Sequence, residues 1–313
     1  MAKVLVTGGA GFIGSHLVDA LVARGDRVAV LDNMSTGRAE NLSAVRERIE
    51  LVKSDLTDRE AVRAAVQGVD CVFHQAALAS VQRSVEKPLD THAACVTGTL
   101  ILIDEARRAK VRRIVYAASS SAYGDQPTAS KRETDLPLPI SPYGAAKLAA
   151  EYYLAAFAAM GDIETVALRY FNVFGPRQDP HSEYSAVIPR FITAMLSGKQ
   201  PTVYGDGQQS RDFTFVENVV AANLLAGSAA GASGRVLNVA AGGKISLLEL
   251  IAALNKLLKM NVAPRHEEAR IGDVRESMAD ITLARKLLGY EPRIGFEEGL
   301  RRSIDYYVGL VKK

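Results

Sequence analysis

The sequence predicts an α/β protein with a doubly wound parallel sheet and a smaller α+β lobe. Three observations predict this fold. Short apolar runs alternate with helical patterns through the first 171 residues, a glycine-rich turn follows the first run, and the alternation stops in a Pro- and Gly-rich stretch that begins at Asn172. Strands that alternate with helices form parallel sheets covered on both faces, because right-handed crossovers return the chain to the same sheet.

The first half supplies the sheet in order. The predicted strands are KVLVT, RVAVLD, IELVKSD, CVFHQA, RIVYAA and TVALRYF. Helices are predicted over residues 12–24 and 58–66, over one long segment that ends near Ala109, and from a start near Pro142.

The second half has shorter elements. NVFGPRQDPHSEYSAVIP reads as a loop, and long loops in compact enzymes often carry binding groups. PTVYG, RDFTFV and RVLNVA are predicted strands, and helices are predicted near residues 189–197, 217–226, 246–259, 281–288 and 296–308.

Composition excludes several classes of protein. A net charge of +3 is too small to imply a nucleic-acid partner, and no apolar run approaches the roughly 20 residues that cross a bilayer. The chain starts with a strand pattern and lacks a secretory-signal pattern, so we expect a cytoplasmic protein without a membrane partner. Cys71 and Cys95 lack metal-ligand spacing, so we expect core thiols and no metal site.

The glycine-rich turn VTGGAGFIG indicates a dinucleotide site. Gly8, Gly11 and Gly14 follow a predicted strand and open a predicted helix. That context suits a tight turn whose backbone approaches a pyrophosphate at a helix N-terminus, as in Rossmann domains.

Acidic residues after the next strands indicate which dinucleotide binds. Asp32 follows Gly14 by 18 residues, where a carboxylate binds the adenosine ribose and repels the 2′-phosphate of NADP. We therefore predict NAD. Asp55 ends the third strand and is predicted either to reach the adenine or to cap a helix. The small residues Ala76 and Ala77 either let the backbone approach the cofactor or serve in packing.

A tyrosine and a lysine form the predicted catalytic pair. Tyr143 and Lys147 in SPYGAAK are four residues apart and share one helix face. A phenol has a pKa of about 10, which a neighbouring ammonium and a charged nicotinamide would lower. We predict a general acid/base beside a hydride acceptor; the alternative is an exposed helix pair.

Six segments carry a resemblance that covers essentially the whole chain. TGGAGFIG, SSSAYGD, SPYGAAK, LRYFNVFGP, RDFTFVENVV and RIGDVRESMAD resemble the extended short-chain dehydrogenases/reductases, specifically UDP-hexose 4-epimerases and most of all the UDP-N-acetylglucosamine type. The resemblance implies an NAD-binding Rossmann domain over residues 1–171 and about 212–240. It assigns about 172–211 and 241–313 to a UDP-sugar-binding lobe and implies a homodimer that contacts through helices such as the one bearing Tyr143.

The resemblance also implies the reaction. Similar enzymes oxidise C4 of the sugar, and dehydratases of this type carry an Asp-Glu pair where this chain has Ser120 and Ser121, while decarboxylases keep a Glu. A serine hydroxyl does not accept a carbon-bound proton at neutral pH, so the ketone is expected to take its hydride back on the other face.

The resemblance further implies two sets of ligands besides the catalytic Ser119, Tyr143 and Lys147. The cofactor set is Gly8, Gly11, Phe12, Ile13, Gly14, Asp32, Asn33, Ser35, Thr36, Gly37, Asp55, Leu56, Gln75, Ala76, Ala77, Tyr143, Lys147 and Tyr170. The substrate set is Ser80, Ser119, Ser120, Ser121, Asn172, Gln178, Ala186, Val187, Ile188, Tyr204, Arg211, Arg270, Asp273 and Ser277.

Ser277 bears on the choice of hexose. Similar epimerases that reject the N-acetyl group have a bulky aromatic residue there, so a serine implies turnover of UDP-GlcNAc and UDP-GalNAc together with the unacetylated pair. A UDP-glucuronate 4-epimerase or decarboxylase remains an alternative, with Arg177 or Arg190 as the cation for the C6 carboxylate. A non-catalytic NAD-binding protein is a second alternative, which the presence of Tyr143 and Lys147 disfavours.

Overall fold

The structure is a computed structural model that describes residues 1–126, 128, 130–180, 186–268 and 275–311. Its strands in chain order are β1 (Lys3–Thr7), β2 (Arg27–Leu31), β3 (Ile49–Val52), β4 (Cys71–His74), β5 (Arg113–Ser119), β6 (Ser130–Lys131), β7 (Glu164–Tyr170), β8 (Val173–Phe174), β9 (Thr202–Tyr204), β10 (Ser210–Arg211), β11 (Thr214–Phe215), β12 (Arg235–Val239), β13 (Ile245–Ser246), β14 (Arg265–Glu267) and β15 (Glu276–Ala279).

Eleven α-helices, numbered in chain order, lie in the described part of the chain. They are α1 (Phe12–Ala23), α2 (Arg59–Ala65), α3 (Val81–Glu86), α4 (Pro88–His92), α5 (Gly98–Arg108), α6 (Pro142–Ala159), α7 (Val187–Leu196), α8 (Val216–Ala226), α9 (Leu247–Leu258), α10 (Thr282–Leu288) and α11 (Phe296–Val311).

Seven parallel strands form the central sheet in the order β12-β7-β5-β4-β1-β2-β3. The predicted doubly wound fold is therefore confirmed. Strand order reverses between β1 and β4, and ligands of such sheets bind in the crevice at this switch point.

Both faces of the sheet are covered. Side chains alternate along each strand, so Val4 and Val6 of β1 pack with Leu17 of α1 and Val219 of α8. Leu5, from the same strand, packs in a second cluster with residues of α2, α5 and α6. Strands buried on both faces explain the continuous apolar runs in the sequence.

The long helix predicted to end near Ala109 is wrong as a single element. It consists of α3, α4, a π-helical segment at Ala93–Thr97 and α5. Pro88 causes the first break, because the residue before a proline is sterically driven out of the helical region. Lys87 accordingly has φ −133° and ψ 65°.

The lobe has its own core. Phe174, Phe213, Phe215 and Phe296 pack together with the apolar faces of α7, α9 and α11. The predicted strand RDFTFV is divided into β10 and β11, which join different sheets. Residues of α10 pack in the core of the large sheet, and the domain boundaries stay a prediction.

Both cysteines are buried, as predicted for core thiols, and burial raises the pKa of Cys71 to about 12. Within the described part of the chain, no helix is long and apolar enough to cross a membrane. No group of three or more His, Cys, Asp or Glu among the same residues could hold a metal ion.

One buried histidine gives the fold a measurable pH dependence. His74 is 0% exposed, its ring contacts the hydroxyls of Thr7 and Thr99 at 2.7 and 2.8 Å, and burial lowers its pKa from 6.5 to about 3. Between these two values the unfolded chain binds the proton and the native chain does not, so stability falls as the pH drops below 6.5.

We expect this residue to contribute about 1.4 kcal/mol per pH unit to the free energy of unfolding between pH 6 and 4. His74→Gln keeps a donor and an acceptor but does not titrate. Urea unfolding of both proteins at pH 7, 6 and 5 should show that the free energy of unfolding falls more steeply with decreasing pH in the wild type than in His74→Gln. An equal pH dependence of the two free energies would contradict the prediction.

Candidate active site

A cavity of about 810 Å³ opens at the carboxyl ends of the central strands, and every residue of the predicted cofactor set lines it. Ser80, Gln178 and Ala186 of the predicted substrate set line the same cavity. The cavity therefore brings the cofactor set together with these three members of the substrate set, and the role of each residue as a ligand stays a proposal.

The glycine turn has no room for side chains. Gly8 has φ +67°, and a Cβ there would lie 2.6 Å from the Ala76 nitrogen. A Cβ on Gly14 would lie 2.1 Å from the Gly8 carbonyl oxygen. No side chain caps α1 at Gly11, and its first turn holds no acidic residue, so its N–H groups are available to an anion.

Asp32 is held rigidly at the end of β2. Its Oδ2 accepts the Ala10 N–H at 2.9 Å, its Oδ1 accepts the Met34 N–H at 2.8 Å, and the residue is 6% exposed. Each carboxylate oxygen keeps a second lone pair for a ribose hydroxyl. Together with the bare glycine turn, this geometry fits a dinucleotide.

Asp55 does not cap the following helix. Asp58 caps α2 by accepting the Ala61 N–H, whereas the Asp55 carboxylate accepts hydrogen bonds from Asn33 and Thr57 beside the cavity. The helix-cap alternative for Asp55 is therefore wrong.

The catalytic candidates converge where α6 crosses the end of β5. Ser141 caps α6, and Tyr143 and Lys147 share the helix face that meets the sheet. Lys147 is buried; its Nζ donates to the Ala117 carbonyl at 2.7 Å and lies 6.0 Å from the centre of the Tyr143 ring. Ser119 lies near enough to the half-buried Tyr143 side chain to lower the pKa of its phenol.

Burial shifts the pKa values of both members of the catalytic pair. Burial raises it above 10, and the hydrogen bond from Ser119 opposes that rise. Burial also lowers the pKa of Lys147. The predicted lowering of the phenol pKa was for the site with a charged nicotinamide beside the ammonium and stays a prediction, whereas in the protein alone desolvation is the largest influence on the phenol.

The three serines occupy different environments. Ser119 is the last residue of β5, is 9% exposed, and accepts the Ser121 N–H at 3.1 Å at the start of a 3-10 turn, Ser120–Ala122. Its own O–H therefore remains for Tyr143. Gly144 lets α6 approach this turn, because a Cβ there would lie 2.6 Å from the Ser121 carbonyl oxygen.

We expect Ser119→Ala to lower kcat roughly 100-fold, because it removes a donor to the reacting oxygen. Ser121 contributes its backbone N–H to the turn, which Ser121→Ala retains, so that variant should stay within about threefold of the wild type. Steady-state kinetics of both variants decide, and equal losses would contradict a special role for Ser119.

The remaining substrate candidates lie mainly in the lobe. Arg211 of β10 is the register partner of Ser277 of β15, Tyr204 ends β9, and Ile188 of α7 is buried in the lobe core. Val187, beside it, packs against the same core. Arg270 and Asp273 lie outside the described residues.

Asn172 and Asp212 have specific backbone contacts. Asn172 has φ 34°, and its amide donates to the Asp212 carbonyl at 3.4 Å. The Asp212 carboxylate accepts the backbone N–H groups of Ala241, Gly242 and Ala279.

Several cavity residues were not predicted. Arg38 donates to Asp179 at 2.9 Å, which joins the loop after β2 to the loop after β8, and Asn41 donates to the Ala10 carbonyl. Others are Leu31, Ser54, Leu78, Ala79, Arg83, Ala94, Ala117 and Ala118. Some of these residues directly follow a strand, and their position at its carboxyl end could have identified them from the sequence.

A doubly wound sheet with this glycine turn and this tyrosine–lysine pair defines an enzyme that uses a dinucleotide to move a hydride. The chain belongs to the NAD dependent epimerase/dehydratase family, whose model matches residues 4–240. The family confirms the predicted cofactor, NAD.

Known proteins are similar to this chain over almost its whole length. It is 38% identical to the UDP-glucose 4-epimerase of Mycolicibacterium smegmatis, covering 97% of this chain and 98% of that protein. The UDP-N-acetylglucosamine 4-epimerase of Methanobrevibacter ruminantium, solved with UDP-N-acetylmuramic acid, superposes with a TM-score of 0.95 at 38% identity and 99% coverage of both chains. The UDP-glucose 4-epimerase of Thermotoga maritima, solved with UDP-glucose, gives 0.94 at 36% identity, again with 99% coverage of both.

Proposed function

We propose that this protein is an NAD-dependent UDP-hexose 4-epimerase, an isomerase that inverts C4 of UDP-GlcNAc and UDP-GalNAc and also of UDP-glucose and UDP-galactose. One observation carries the choice of reaction. The turn next to Tyr143 presents serines, and the carboxylates that line the cavity in the described part of the chain, Asp32, Asp55 and Asp179, are engaged elsewhere. The described residues thus offer no second base to a carbon-bound proton.

Each catalytic side chain has a distinct role in this proposal. Bound NAD supplies the acceptor and donor of one hydride. Tyr143 takes the proton of the sugar O4 and returns it, while Ser119 donates a hydrogen bond at that oxygen. Lys147, anchored on the Ala117 carbonyl, lies where it can hold the nicotinamide ribose.

Inversion also requires the hexose to turn while the nucleotide stays bound. We assign the nucleotide to the lobe, with Arg211 and Arg270 at the diphosphate, because guanidinium groups suit phosphate oxygens. Asp273 is assigned to the ribose, and Tyr204 with the backbone of Val187 and Ile188 to the uracil. Asn172, Gln178 and Ala186 complete the proposed pocket.

Three incubations test the function. UDP-glucose, UDP-GlcNAc and UDP-glucuronate are incubated separately with the purified enzyme, and NMR reads the configuration at C4 while mass spectrometry reads the product mass. Inversion without a change in mass is expected for the hexoses. Release of water or carbon dioxide would reject 4-epimerisation.

Ser277→Tyr tests the choice of hexose. The Ser277 carbonyl accepts the Asp212 N–H at 2.7 Å, so the backbone at this position is anchored and a larger side chain has to fill the neighbouring space. We expect kcat/KM for UDP-GlcNAc to fall at least 100-fold, a loss of about 2.7 kcal/mol, while UDP-glucose turnover stays within about threefold. Ser277→Ala is the control, and equal loss on both substrates would contradict this role.

The uronic-acid alternative lacks support from the cations considered for it. Arg177 lines the cavity, but it donates to Asp19 at 2.7 Å, so its charge is neutralised. Arg190 lines a separate groove. The non-catalytic alternative is disfavoured by the contact between Tyr143 and Ser119.

A homodimer through α3, α4 and α6 forms part of the proposal. Val85, Leu89 and Tyr152 are 65%, 82% and 60% exposed on these neighbouring helices, and apolar groups on one face favour a second copy as the partner. Light scattering of the wild type and of Leu89→Lys tests this face. A cytoplasmic location, expected from the sequence, is likewise a proposal.

A further inference from the structure

We propose that the buried ion pair of Glu151 and Arg169 positions the catalytic helix against the serine turn and holds a carboxylate one helical turn from Lys147. The inference rests on the catalytic roles proposed for Tyr143 and Lys147. Neither member of the pair lines the cavity, so both act through other residues.

The pair lies directly behind the catalytic residues. Tyr143, Lys147 and Glu151 are spaced by four along α6 and therefore share one face. Both oxygens of Glu151 accept from Arg169, Oε1 from Nε at 3.0 Å and Oε2 from Nη2 at 2.7 Å. Both residues are 3% exposed.

Arg169 also contacts the element that carries Ser119. It lies on β7 opposite Ala118 of β5, and its guanidinium carbon lies 4.4 Å from the centre of the Tyr123 ring. Tyr123 directly follows the turn Ser120–Ala122, and its hydroxyl donates to Asn238 at 2.7 Å. One guanidinium thus joins the helix that bears Tyr143 to the turn that begins at Ser119.

Stability alone is a poor explanation for this pair. Burying two charges is costly, and replacement of a buried pair by apolar residues of similar volume is often neutral or stabilising. Moreover, Nη1 of Arg169 is buried without a hydrogen-bond partner among the described residues.

The charge of Glu151 also bears on Lys147. Burial lowers the pKa of Lys147, and the charges of Cys95 and, after it, of the Glu151 carboxylate oppose that change. The other titratable groups around the ammonium are Tyr143 on the same helix, Tyr116 on β5, His74 on β4 and Cys95 in the π-helical segment. Glu151 is the carboxylate in this set, and Arg169 holds it in place.

The test removes both charges at once, because removal of one leaves the other buried and unpaired. In Glu151→Leu/Arg169→Met, we expect a folded protein whose kcat falls tenfold or more while KM changes less than threefold. Without the carboxylate the pKa of Lys147 falls, so the alkaline limb of kcat should move to lower pH. An NMR titration of ¹⁵N-labelled lysine ammonium groups, with Lys147 assigned by Lys147→Arg, reads this shift without turnover.

Arg113→Met/Glu164→Leu is the control, because that ion pair, at 2.8 Å, joins β7 to β5 at the end of these strands that is far from Ser119. It should change stability without moving kcat or the Lys147 titration. If both double variants lose stability alike and neither moves the Lys147 titration, the pair is merely structural and the proposal is overturned.

Glu151→Asp covers the case in which the double variant does not fold. It keeps both charges but shortens the reach to Arg169, so kcat should fall several-fold. Variants without a carboxylate at position 151 should not regain the wild-type kcat. Wild-type kcat in Glu151→Asp together with wild-type Lys147 titration in Glu151→Gln would overturn the proposal. A wild-type enzyme that inverts no UDP-hexose would reject the proposed function instead, and the Lys147 titration would still test the pair.

Discussion

Tyr143→Phe is expected to lower kcat for 4-epimerisation by about 10³- to 10⁴-fold. The substitution removes one oxygen and keeps the ring, so packing against the neighbouring elements is retained. The described residues offer no replacement: Ser119 lies near the phenol but is not a base at neutral pH, and Lys147 is bound to the Ala117 carbonyl.

The measurement is steady-state kinetics with NMR detection, together with NAD binding by fluorescence. NAD binding should change less than threefold, because most of the cavity wall is untouched. Tyr153→Phe on the same helix is the control, since that side chain is 41% exposed and should have no effect on kcat. A Tyr143→Phe enzyme with more than a tenth of wild-type kcat would exclude the phenol as the acid/base.

Gly14→Ala is expected to abolish NAD binding at concentrations up to about 100 times the wild-type Kd, a loss near 2.7 kcal/mol or more. The new Cβ would lie 2.1 Å from the Gly8 oxygen and 2.9 Å from both the Gly8 carbonyl carbon and the Gly9 Cα. These are backbone atoms of the cofactor turn itself, so relief of the clash distorts the site. Overpacking of this kind also costs about 1–3 kcal/mol of stability.

Gly309→Ala is the matched control for that variant. Gly309 also lies in a helix, α11, and a Cβ there meets no atom within 4 Å. Because alanine is the better helix former, the control should gain about 0.5–1 kcal/mol. Calorimetric titration with NAD and urea unfolding read both effects, and full NAD affinity in Gly14→Ala would refute the close-packed turn.

Local patterns were sufficient for most of the fold. A strand buried on both faces has to be apolar throughout, so β1, β4 and β5 were visible as runs in the sequence. The limit of this reasoning is shown by the segment that ends near Ala109. It was predicted as one long helix, but the structure divides it at Lys87. An apolar helical pattern continued across Pro88, and the backbone constraint of the proline outweighed it.

The candidate site divides in the same way. Its glycine turn and its tyrosine–lysine pair are local motifs, whose spacing has meaning within a single turn or helix. Arg38 with Asp179, and Glu151 with Arg169, join segments that are distant along the chain. Sequence spacing does not predict such contacts, because the crossovers of the sheet bring the partners together.

The sequence by itself determined the parallel sheet, the dinucleotide turn and the shared helix face of Tyr143 and Lys147. These features follow from continuous apolar runs, from fixed motif spacing and from the 3.6-residue repeat of a helix, respectively. Only the tertiary structure decided the electrostatics of that face. Spacing placed an ammonium near a phenol and suggested a lowered pKa, whereas burial of both groups raises the pKa of Tyr143 and lowers that of Lys147. Desolvation depends on everything packed around a group, so it is a property of the fold and not of the motif.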